Sequence, residues 1–291
     1  MTSINSDARV STAWLADHLS DPNIRILDAS YFVPGGVAPA RKQYDEGHIP
    51  GAQFFDVNAV ADTSKPKEHT FPTAAIFAEH VGRMGIGNDH RVIVYDHLGG
   101  TLAAARVWFM FRAFGHSNVA VLDGGRTKWA AEGRLFTTDV PQVASTTFRA
   151  AENPNLLRSK SDILKNISAP MFQVLDARSA GRFAGTEPEP RAGLRSGHIP
   201  ASHNLPFLSL IDAETKTWRD PAALQKAFDD SGIDLARPLA TTCGSGVTAC
   251  ALAFGAYLLG KTDTSIYDGS WLEWGSDDAV PVETGPNRAI I

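Results

Sequence analysis

The stretch that decides the fold of this chain is Leu239-Ala240-Thr241-Thr242-Cys243-Gly244-Ser245-Gly246-Val247-Thr248. A short apolar run delivers Cys243 into a glycine-rich loop, and a second apolar run, residues 247–259, follows at once and stops at Gly260. This order predicts a buried strand, a loop and the start of a helix. The first amides of a helix lack partners within the helix and carry partial positive charge. We therefore expect the Cys243 thiolate to be stabilised and nucleophilic at neutral pH.

The glycines around Ser245 favour a functional loop over a packing role for Cys243. A buried cysteine is often only a small core residue. Gly-Ser-Gly, in contrast, packs poorly and lets successive amides converge on an anion. The second cysteine, Cys250, lies inside the apolar run and is expected to be a core residue. The two cysteines are too far apart in the sequence for a Cys-x-x-Cys redox pair.

Composition and charge are those of a soluble globular protein. The chain has 291 residues, of which 43% are hydrophobic and 20% charged, and its net charge is −5. This length suits one large or two ordinary domains, and the charge indicates neither a nucleic acid nor an anionic membrane as partner. No apolar run is long enough to span a bilayer, and residues 1–10 are too polar for a signal peptide. Two cysteines without zinc-type spacing predict a reducing, cytoplasmic setting, with no metal and no organic cofactor.

Three short motifs occur twice, in the same order and at nearly the same separation. The pairs are Leu27-Asp28-Ala29 with Leu175-Asp176-Ala177, Gly47-His48-Ile49-Pro50 with Gly197-His198-Ile199-Pro200, and Asp123-Gly124 with Asp268-Gly269. Chance could produce one such match but not three in order. The chain is therefore predicted to consist of two copies of one domain.

Each copy alternates strand-like and helix-like segments. The apolar, β-branched runs of strand length are residues 24–27, 92–95, 119–122, 172–175, 238–242 and 265–267. Thr73 is expected to cap one helix, and Asp220-Pro221 to start its counterpart. This alternation predicts an α/β fold in which each domain is a mostly parallel sheet with helices on both faces. The polar, proline-containing stretch 138–160 is interpreted as a linker between domains at 1–137 and 161–291.

Aligning the two copies predicts which one carries out chemistry. The segment Tyr95-Asp96-His97-Leu98-Gly99-Gly100-Thr101 falls on residues 242–248, so Asp96 stands where the second copy has Cys243. A carboxylate cannot carry sulfur. The N-terminal domain is therefore predicted to be non-catalytic, acting as a scaffold and as one wall of a cleft.

The two-domain layout, the loop at 243–248 and the segment Asp268-Gly269-Ser270-Trp271 resemble the rhodanese superfamily and, within it, the 3-mercaptopyruvate sulfurtransferases. The resemblance extends over nearly the whole chain. Thiosulfate-using rhodaneses usually have charged residues just after the cysteine, whereas residues 244–248 carry no charge. The resemblance therefore implies two tandem rhodanese-like domains in an enzyme that takes sulfur from 3-mercaptopyruvate.

The resemblance also implies a reaction in two halves. The cysteine takes the sulfur of 3-mercaptopyruvate as a persulfide and pyruvate leaves. A thiol acceptor, such as thioredoxin or a small thiol, or cyanide, then removes the sulfur. Neither a nucleic acid nor a membrane is expected among the partners.

The site residues follow from matching the family's positions. Arg182 and Arg191 match the arginines that hold the substrate's oxygens, and arginine can grip a carboxylate with two parallel hydrogen bonds. The loop residues expected at the substrate are Gly244, Ser245, Gly246, Val247 and Thr248.

Two further residues are catalytic candidates by the same resemblance. Ser245 and a histidine of the N-terminal domain, matched to His48, would move protons in the family's proposed relay. His48 has an equally open structural interpretation, because its motif recurs at His198. The acidic member of the relay is left unassigned, and Trp271 is expected to be a core residue.

Three alternative functions remain at this point. A thiosulfate:cyanide sulfurtransferase would use the same nucleophile, but the uncharged loop argues against it. A cysteine phosphatase would need an arginine at the end of the loop, where this chain has Thr248 and Ala249. A persulfide carrier with little turnover belongs to a different class, and the paired arginines favour a small-molecule enzyme over it.

Overall fold

A computed structural model describes residues 5–32, 39–65 and 69–286 of the chain. Its first half forms a sheet of five strands: β1 (Arg9–Val10), β2 (Ile24–Asp28), β3 (Ala52–Phe54), β4 (Arg91–Tyr95) and β5 (Val119–Leu122). The helices of this half are α1 (Thr12–Asp17), α2 (Ala40–Glu46), α3 (Ala74–Arg83), α4 (Ala103–Ala113) and α5 (Gly125–Ala131).

The second half repeats this arrangement. Its strands are β6 (Leu157–Arg158), β7 (Gln173–Asp176), β8 (His203–Asn204), β9 (Leu239–Thr242) and β10 (Ser265–Tyr267). Its helices are α6 (Lys160–Ser168), α7 (Ala180–Ala184), α8 (Pro221–Asp230), α9 (Ala249–Leu258) and α10 (Ser270–Trp274). Short 3-10 turns lie at Ser6–Ala8, Pro154–Leu156 and Phe207–Leu210.

The two sheets have the same strand order. It is β1-β5-β4-β2-β3 in the first and β6-β10-β9-β7-β8 in the second, and every pairing within these orders is parallel. The predicted α/β fold with two tandem copies is confirmed. The six predicted strands are present, whereas the edge strands β1, β3, β6 and β8 were not predicted. These are two or three residues long, which is too short for a periodic pattern to show.

Both faces of each sheet are covered, because successive residues of a strand enter different cores. In β4, Val92 and Val94 join one hydrophobic cluster, and Ile93 and Tyr95 join another. A sheet buried on both faces needs continuous apolar strands instead of alternating ones. The runs Arg91–Tyr95 and Val119–Leu122 have that character.

The predicted helix starts are confirmed at atomic detail. The Thr73 side chain accepts the Ile76 amide at the start of α3, and Asp220 accepts the Ala223 amide at the start of α8. These side chains satisfy amides that have no partner within the helix. The helix after Cys243 begins only at Ala249, because residues 244–248 form the loop.

The second sheet starts inside the segment that the sequence predicts as the linker. Strand β6 pairs with β10 in register Ile266 with Leu157, so residues 157–158 already belong to the second sheet. Ser159 then caps α6 and receives the Asp162 side chain on its own amide, which is a capping box. The connection that carries no regular structure therefore ends before Pro154.

The two halves share one hydrophobic core at the contact of α4 with α9. The ring of Trp108 meets Phe254 at 4.7 Å and Tyr257 at 5.1 Å, both edge to face. Trp108 is 1% exposed, so this contact is fully buried. Within the described residues, no helix is long and apolar enough to cross a membrane.

Each half also sends a short segment onto the other. We name residues 69–71 and 216–218 the cross-domain segments. The Phe71 amide donates to Asp268 of the second half at 2.9 Å, and the Trp218 amide donates to Asp123 of the first at 2.8 Å. The segments start at His69 and Lys216, which both have positive φ values, 54° and 57°. In each half, the aspartate of the Asp-Gly motif thus accepts a backbone amide from the cross-domain segment of the other half.

Candidate active site

Cys243 lies directly after β9, at the carboxyl edge of the second sheet. Ligand sites of open parallel sheets are found at this edge. The residue is 2% exposed, and the Gly246 amide donates to its Sγ at 3.1 Å. The loop of residues 243–248 therefore folds back on the sulfur, as the glycine pattern predicts.

The turn that carries the second Asp-Gly motif supports the backbone of Cys243. The Ser270 hydroxyl accepts the Cys243 amide at 3.2 Å and donates to the Tyr267 carbonyl at 2.9 Å. The Trp271 amide donates to the Cys243 carbonyl at 2.9 Å. Ser270 has a φ of 52°, an uncommon value for a residue with a β-carbon. The hydrogen bonds of its hydroxyl hold Ser270 in this strained conformation, and the strained residue lies next to Cys243.

Gly246 is required by its backbone and by its surroundings. Its φ is 88°, and a β-carbon on it would lie 2.7 Å from the Asp268 carbonyl and 3.3 Å from Arg106 Nη1. Only glycine adopts this conformation at low cost and leaves that space open. The second glycine of the loop motif is therefore a structural condition for the loop.

Arg182 lies over the loop. A β-carbon on Gly244 would be 3.0 Å from Arg182 Nη2, so the guanidinium is adjacent to the residue after Cys243. Its position is set by Glu189, which accepts from Arg182 Nη2 at 2.6 Å and from Arg178 Nη1 at 2.8 Å. Arg178 in turn stacks on Trp271 at 4.3 Å. Arg182 keeps 23% of its side chain exposed, so it can meet a ligand.

The other predicted ligand residues are described by their burial and their position in the chain. Arg191 is half-buried and follows Glu189 by two residues. Ser245 and Val247 are buried, and Thr248 is the half-buried residue before α9. The roles of these residues toward substrate stay predictions.

His48 is held within its own domain. Its Nδ1 lies 2.9 Å from the Tyr44 carbonyl and its Nε2 3.2 Å from the Asp139 carbonyl, and its ring stacks on Tyr44 at 3.9 Å. His198 repeats the first and last of these features, with Nδ1 at the Phe183 carbonyl and its ring stacked on Phe183. None of the described contacts of His48 reaches the thiol. The geometry therefore favours the structural interpretation.

A residue of the first half, Arg106, contacts the loop directly. Arg106, from α4 of the N-terminal half, donates to the Gly246 carbonyl at 3.0 Å and to the His69 carbonyl at 2.8 Å. The His69 ring lies 2.9 Å from the Tyr31 hydroxyl. No motif in the sequence marks Arg106, because it reaches the loop only through the docking of the two halves.

Cys250 is the core residue that the sequence predicts. It is fully buried in α9, and burial raises the pKa of its thiol to about 12 despite the nearby Arg106. Such a thiol stays protonated at neutral pH and is a poor nucleophile. Its Sγ donates to the Gly246 carbonyl at 3.5 Å, so it contributes to the support of the loop.

The N-terminal copy shows what a loop of this shape can hold. Asp96 Oδ1 accepts the amides of Leu98 and Gly100, both at 2.8 Å, and Oδ2 accepts those of Leu102 and Ala104, both at 3.0 Å. Four backbone amides thus converge on one anion, as in a helix-terminal anion nest. The aligned positions in the C-terminal copy are 245, 247, 249 and 251. Over residues 5–32, 39–65 and 69–286, no group of three or more His, Cys, Asp and Glu side chains is placed to hold a metal ion.

Comparisons with known proteins agree with this geometry. The rhodanese-like domain family matches the chain twice, over residues 11–132 and 159–277. The chain is 44% identical to human 3-mercaptopyruvate sulfurtransferase over 272 residues, covering 92% of this chain and 91% of the relative. It is 45% identical to rat thiosulfate sulfurtransferase over 273 residues, with the same coverage.

Solved structures align with this chain over both of its domains. The crystal structure of SseA from Escherichia coli, described as a 3-mercaptopyruvate sulfotransferase, aligns with a TM-score of 0.82 at 34% identity. The alignment covers 91% of this chain and 98% of that one. The Tum1 protein from Saccharomyces cerevisiae aligns with a TM-score of 0.85 at 28% identity, covering 96% and 98%. Relatives with either sulfur donor in their names are equally similar in sequence, so overall identity does not discriminate between the two donors.

Proposed function

This chain belongs to the rhodanese family and is a sulfurtransferase, and we propose that its sulfur donor is 3-mercaptopyruvate and that Cys243 carries the sulfur as a persulfide. The proposal gives catalysis to the C-terminal domain alone, because Asp96 replaces the cysteine in the N-terminal copy. The observation that carries it is the loop itself, in which an uncharged, amide-lined turn faces one thiol.

In the first half-reaction, the Cys243 thiolate attacks the sulfur of 3-mercaptopyruvate. The sulfur–sulfur bond forms and the carbon–sulfur bond breaks, with its electron pair moving to carbon to give the enolate of pyruvate. The proton of the donor's thiol remains on the outer sulfur, and when the persulfide ionises this proton balances the one that the enolate takes up. Attacking thiolate and product persulfide are both anions, and the amides of residues 246–249 suit both.

The donor's carboxylate and ketone need positive partners, and Arg182 is the first candidate. Its guanidinium is next to Gly244 and is oriented by Glu189, which leaves part of it exposed toward the loop. An oriented arginine loses little conformational freedom when it binds a carboxylate. We assign Arg191 to the same substrate as a second donor, on its match to the family position.

The charge near the sulfur favours this donor over thiosulfate. Mercaptopyruvate carries one negative charge and thiosulfate two. Residues 244–248 are uncharged, and Arg182 already shares one carboxylate, that of Glu189. The close similarity to thiosulfate sulfurtransferases keeps thiosulfate as the second candidate.

In the second half-reaction, an acceptor nucleophile attacks the outer sulfur of the persulfide. A thiol such as thioredoxin or a small thiol would leave with that sulfur as a new persulfide, and cyanide would leave as thiocyanate. Both release Cys243 as a thiolate, so the enzyme is regenerated without an added oxidant or reductant.

The deciding experiment is intact mass after exposure to each donor. With 3-mercaptopyruvate, we expect a gain of one sulfur, about 32 Da, on the peptide that contains Cys243, together with one equivalent of pyruvate. Steady-state kcat/KM for pyruvate release is then compared with that for sulfite release from thiosulfate. A higher kcat/KM with thiosulfate would overturn the proposed donor, and absence of a mass gain with either donor would overturn the persulfide.

Proton transfer can be tested with a matched pair of histidines. His48 and His198 are held alike, each with Nδ1 at a backbone carbonyl and its ring stacked on an aromatic residue of its own domain. We expect His48→Gln and His198→Gln to have similarly small effects on pyruvate release at equal folded concentration. A larger loss with His48→Gln would restore the assignment made from the sequence.

A further inference from the structure

A single buried arginine of the non-catalytic domain contacts the catalytic loop. Arg106 lies on α4, and its side chain is completely buried. Its Nη1 donates to the Gly246 carbonyl at 3.0 Å and to Asp268 Oδ1 at 2.6 Å, and its Nη2 donates to the His69 carbonyl at 2.8 Å. Its guanidinium also lies 4.8 Å from the centre of the Phe71 ring. One cation thus joins the loop, the Asp-Gly turn and a cross-domain segment.

The contact with Gly246 determines which way one peptide group points. In a planar trans peptide, the carbonyl and the following N–H point in opposite directions. When Arg106 holds the Gly246 carbonyl, the Val247 N–H must therefore point to the other side of the peptide. The carbonyl receives a second hydrogen bond from Cys250 Sγ, from the same helix that follows the loop.

The N-terminal copy shows what lies on that other side. Val247 aligns with Gly100, whose amide donates to the Asp96 carboxylate at 2.8 Å. The preceding residues, Gly99 and Gly246, both have positive φ, 69° and 88°. In the copy that contains the carboxylate, this amide thus points at the anion. In the C-terminal copy, the amide that lies on the sulfur is that of the preceding residue, Gly246, at 3.1 Å.

We propose that Arg106 is a positioning residue of the loop of Cys243, contributed by the other domain, which holds the Gly246 carbonyl and so keeps the Gly246 amide on the sulfur of Cys243. This role rests on the proposed function only in assigning the anion to sulfur. It also gives the N-terminal domain a part in catalysis beyond that of a scaffold.

The charge of Arg106 is maintained in its buried position. Burial disfavours a charged guanidinium, but the Asp268 carboxylate favours it, and the pKa of Arg106 is raised. Asp268 also accepts the Phe71 amide at 2.9 Å, which ties the ion pair to the cross-domain segment. A buried cation with three oxygen partners has little freedom to move away from the carbonyl it holds.

The chain contains a matched control on its opposite side. Arg9 donates to the Trp218 carbonyl at 3.2 Å and lies 3.7 Å from Asp123 Oδ2. Asp123 accepts the Trp218 amide just as Asp268 accepts the Phe71 amide. Arg9 and Asp123 therefore form a cross-domain pair of the same kind beside the Asp96 loop. This pair carries no nucleophile, although Arg9 is more exposed than Arg106.

The test compares Arg106→Gln with Arg9→Gln in the full-length protein. For Arg106→Gln, we expect kcat for pyruvate release to fall roughly 10- to 100-fold with KM little changed, since one aligned amide contributes on that scale. Alkylation of Cys243 by iodoacetamide at neutral pH should slow roughly 10-fold if an amide that stabilises the thiolate is lost. Arg9→Gln should change kcat by less than about twofold, even if its melting temperature falls by as much as that of Arg106→Gln.

A second pair keeps the test decisive if Arg106→Gln does not fold. Asp268→Asn keeps the size of the side chain but removes the charge that holds Arg106, and Asp123→Asn is its counterpart. We expect alkylation of Cys243 at neutral pH to slow in Asp268→Asn and not in Asp123→Asn. Wild-type kcat and alkylation rate in folded Arg106→Gln or Asp268→Asn, or equal changes in both members of a pair, would overturn the role of Arg106. Alkylation needs no sulfur donor, so this outcome is distinct from failure of the proposed donor.

Discussion

Cys243 and Cys250 are chemically identical side chains in very different surroundings. Cys243 lies in a loop whose Gly246 amide donates to its sulfur. Cys250 is enclosed in α9, where burial raises its thiol pKa to about 12. A thiol that stays protonated cannot attack sulfur at neutral pH. The position of each sulfur relative to the helix start is therefore the reason why we propose Cys243, and not Cys250, as the nucleophile.

We expect Cys243→Ser to abolish sulfur transfer, with a loss of at least about 1,000-fold, because serine cannot form a persulfide. Cys250→Ala should keep nearly full transfer while costing about 1 kcal/mol of unfolding free energy through the small cavity it leaves. Pyruvate release and urea unfolding measure the two effects. Substantial activity in Cys243→Ser would remove the central assignment.

Substitutions of Arg182 can distinguish the effect of its positive charge from the effect of its paired hydrogen-bond donors. We expect Arg182→Lys to raise KM for 3-mercaptopyruvate by roughly 10-fold and Arg182→Ala by roughly 100-fold, because lysine keeps the charge but not the paired donors. Arg178 still holds Glu189 in both variants, so the fold should persist. The measurement is KM for 3-mercaptopyruvate beside KM for a sulfur donor without a carboxylate. Equal increases for both donors would mean that Arg182 does not bind the carboxylate.

At the scale of elements, the loop between β9 and α9 depends on glycine geometry. Gly246 has a positive φ and faces the Asp268 carbonyl at a distance that excludes a β-carbon. Gly133 has a positive φ of 66° as well, but nothing lies within 4 Å of the position of its β-carbon. Substituting alanine at Gly133 therefore tests backbone strain alone, whereas the same change at Gly246 adds a steric clash.

We expect Gly133→Ala to cost about 1 kcal/mol of unfolding free energy and to leave transfer unchanged. Gly246→Ala should cost more and should lower kcat roughly 100-fold, because a shift of about 1 Å at the reacting groups has effects of that size. Thermal unfolding and pyruvate release distinguish the two. Normal kcat in Gly246→Ala would show that the loop tolerates displacement.

The Asp96 loop has the same shape but a structural task. Its carboxylate accepts four backbone amides, so Asp96→Ala should leave these buried donors unpaired and cost about 3 kcal/mol of unfolding free energy. Transfer per folded molecule should remain within about twofold of wild type, since no sulfur binds there. Asp89→Ala, at an exposed aspartate, is the control for both measurements. A large loss of kcat in Asp96→Ala would give the N-terminal loop a catalytic role.

At the scale of the whole molecule, the catalytic loop is completed by the docking of two similar domains. Trp108 joins them through Phe254 and Tyr257, and the cross-domain segments clasp them on both sides of that contact. Two domains that share one core should unfold together. Their docking should therefore be a condition of activity as well as of stability.

We expect the wild-type protein to show one calorimetric unfolding transition and Trp108→Ala to show two, with a loss of roughly 3–5 kcal/mol. Transfer should fall with it, because separated domains no longer keep Arg106 on the Gly246 carbonyl. Trp129→Ala removes an equally buried tryptophan from the interior of the first domain alone, so it should lower stability but leave transfer nearly intact. Two transitions in the wild-type protein would contradict the shared core.

The amino-acid sequence by itself determined the elements and the repeat. The runs Val119–Leu122 and Ser265–Tyr267, the cap Thr73 and the loop of Cys243 are local features, because each depends on residues that are close in sequence. The pairing of Asp96 with Cys243 followed from aligning the two copies of the chain. Edge strands of two or three residues were not predicted, because a segment that short cannot show a repeating pattern.

Only the tertiary structure decided which distant residue meets the loop of Cys243. Arg106 comes from the other domain and donates to the Gly246 carbonyl across the interface, while His48, which shares its motif with His198, remains bound to backbone in its own domain. The physical reason is that helix starts and glycine turns are short-range preferences of the backbone. A contact between residues more than a hundred positions apart exists only after two folded surfaces have docked.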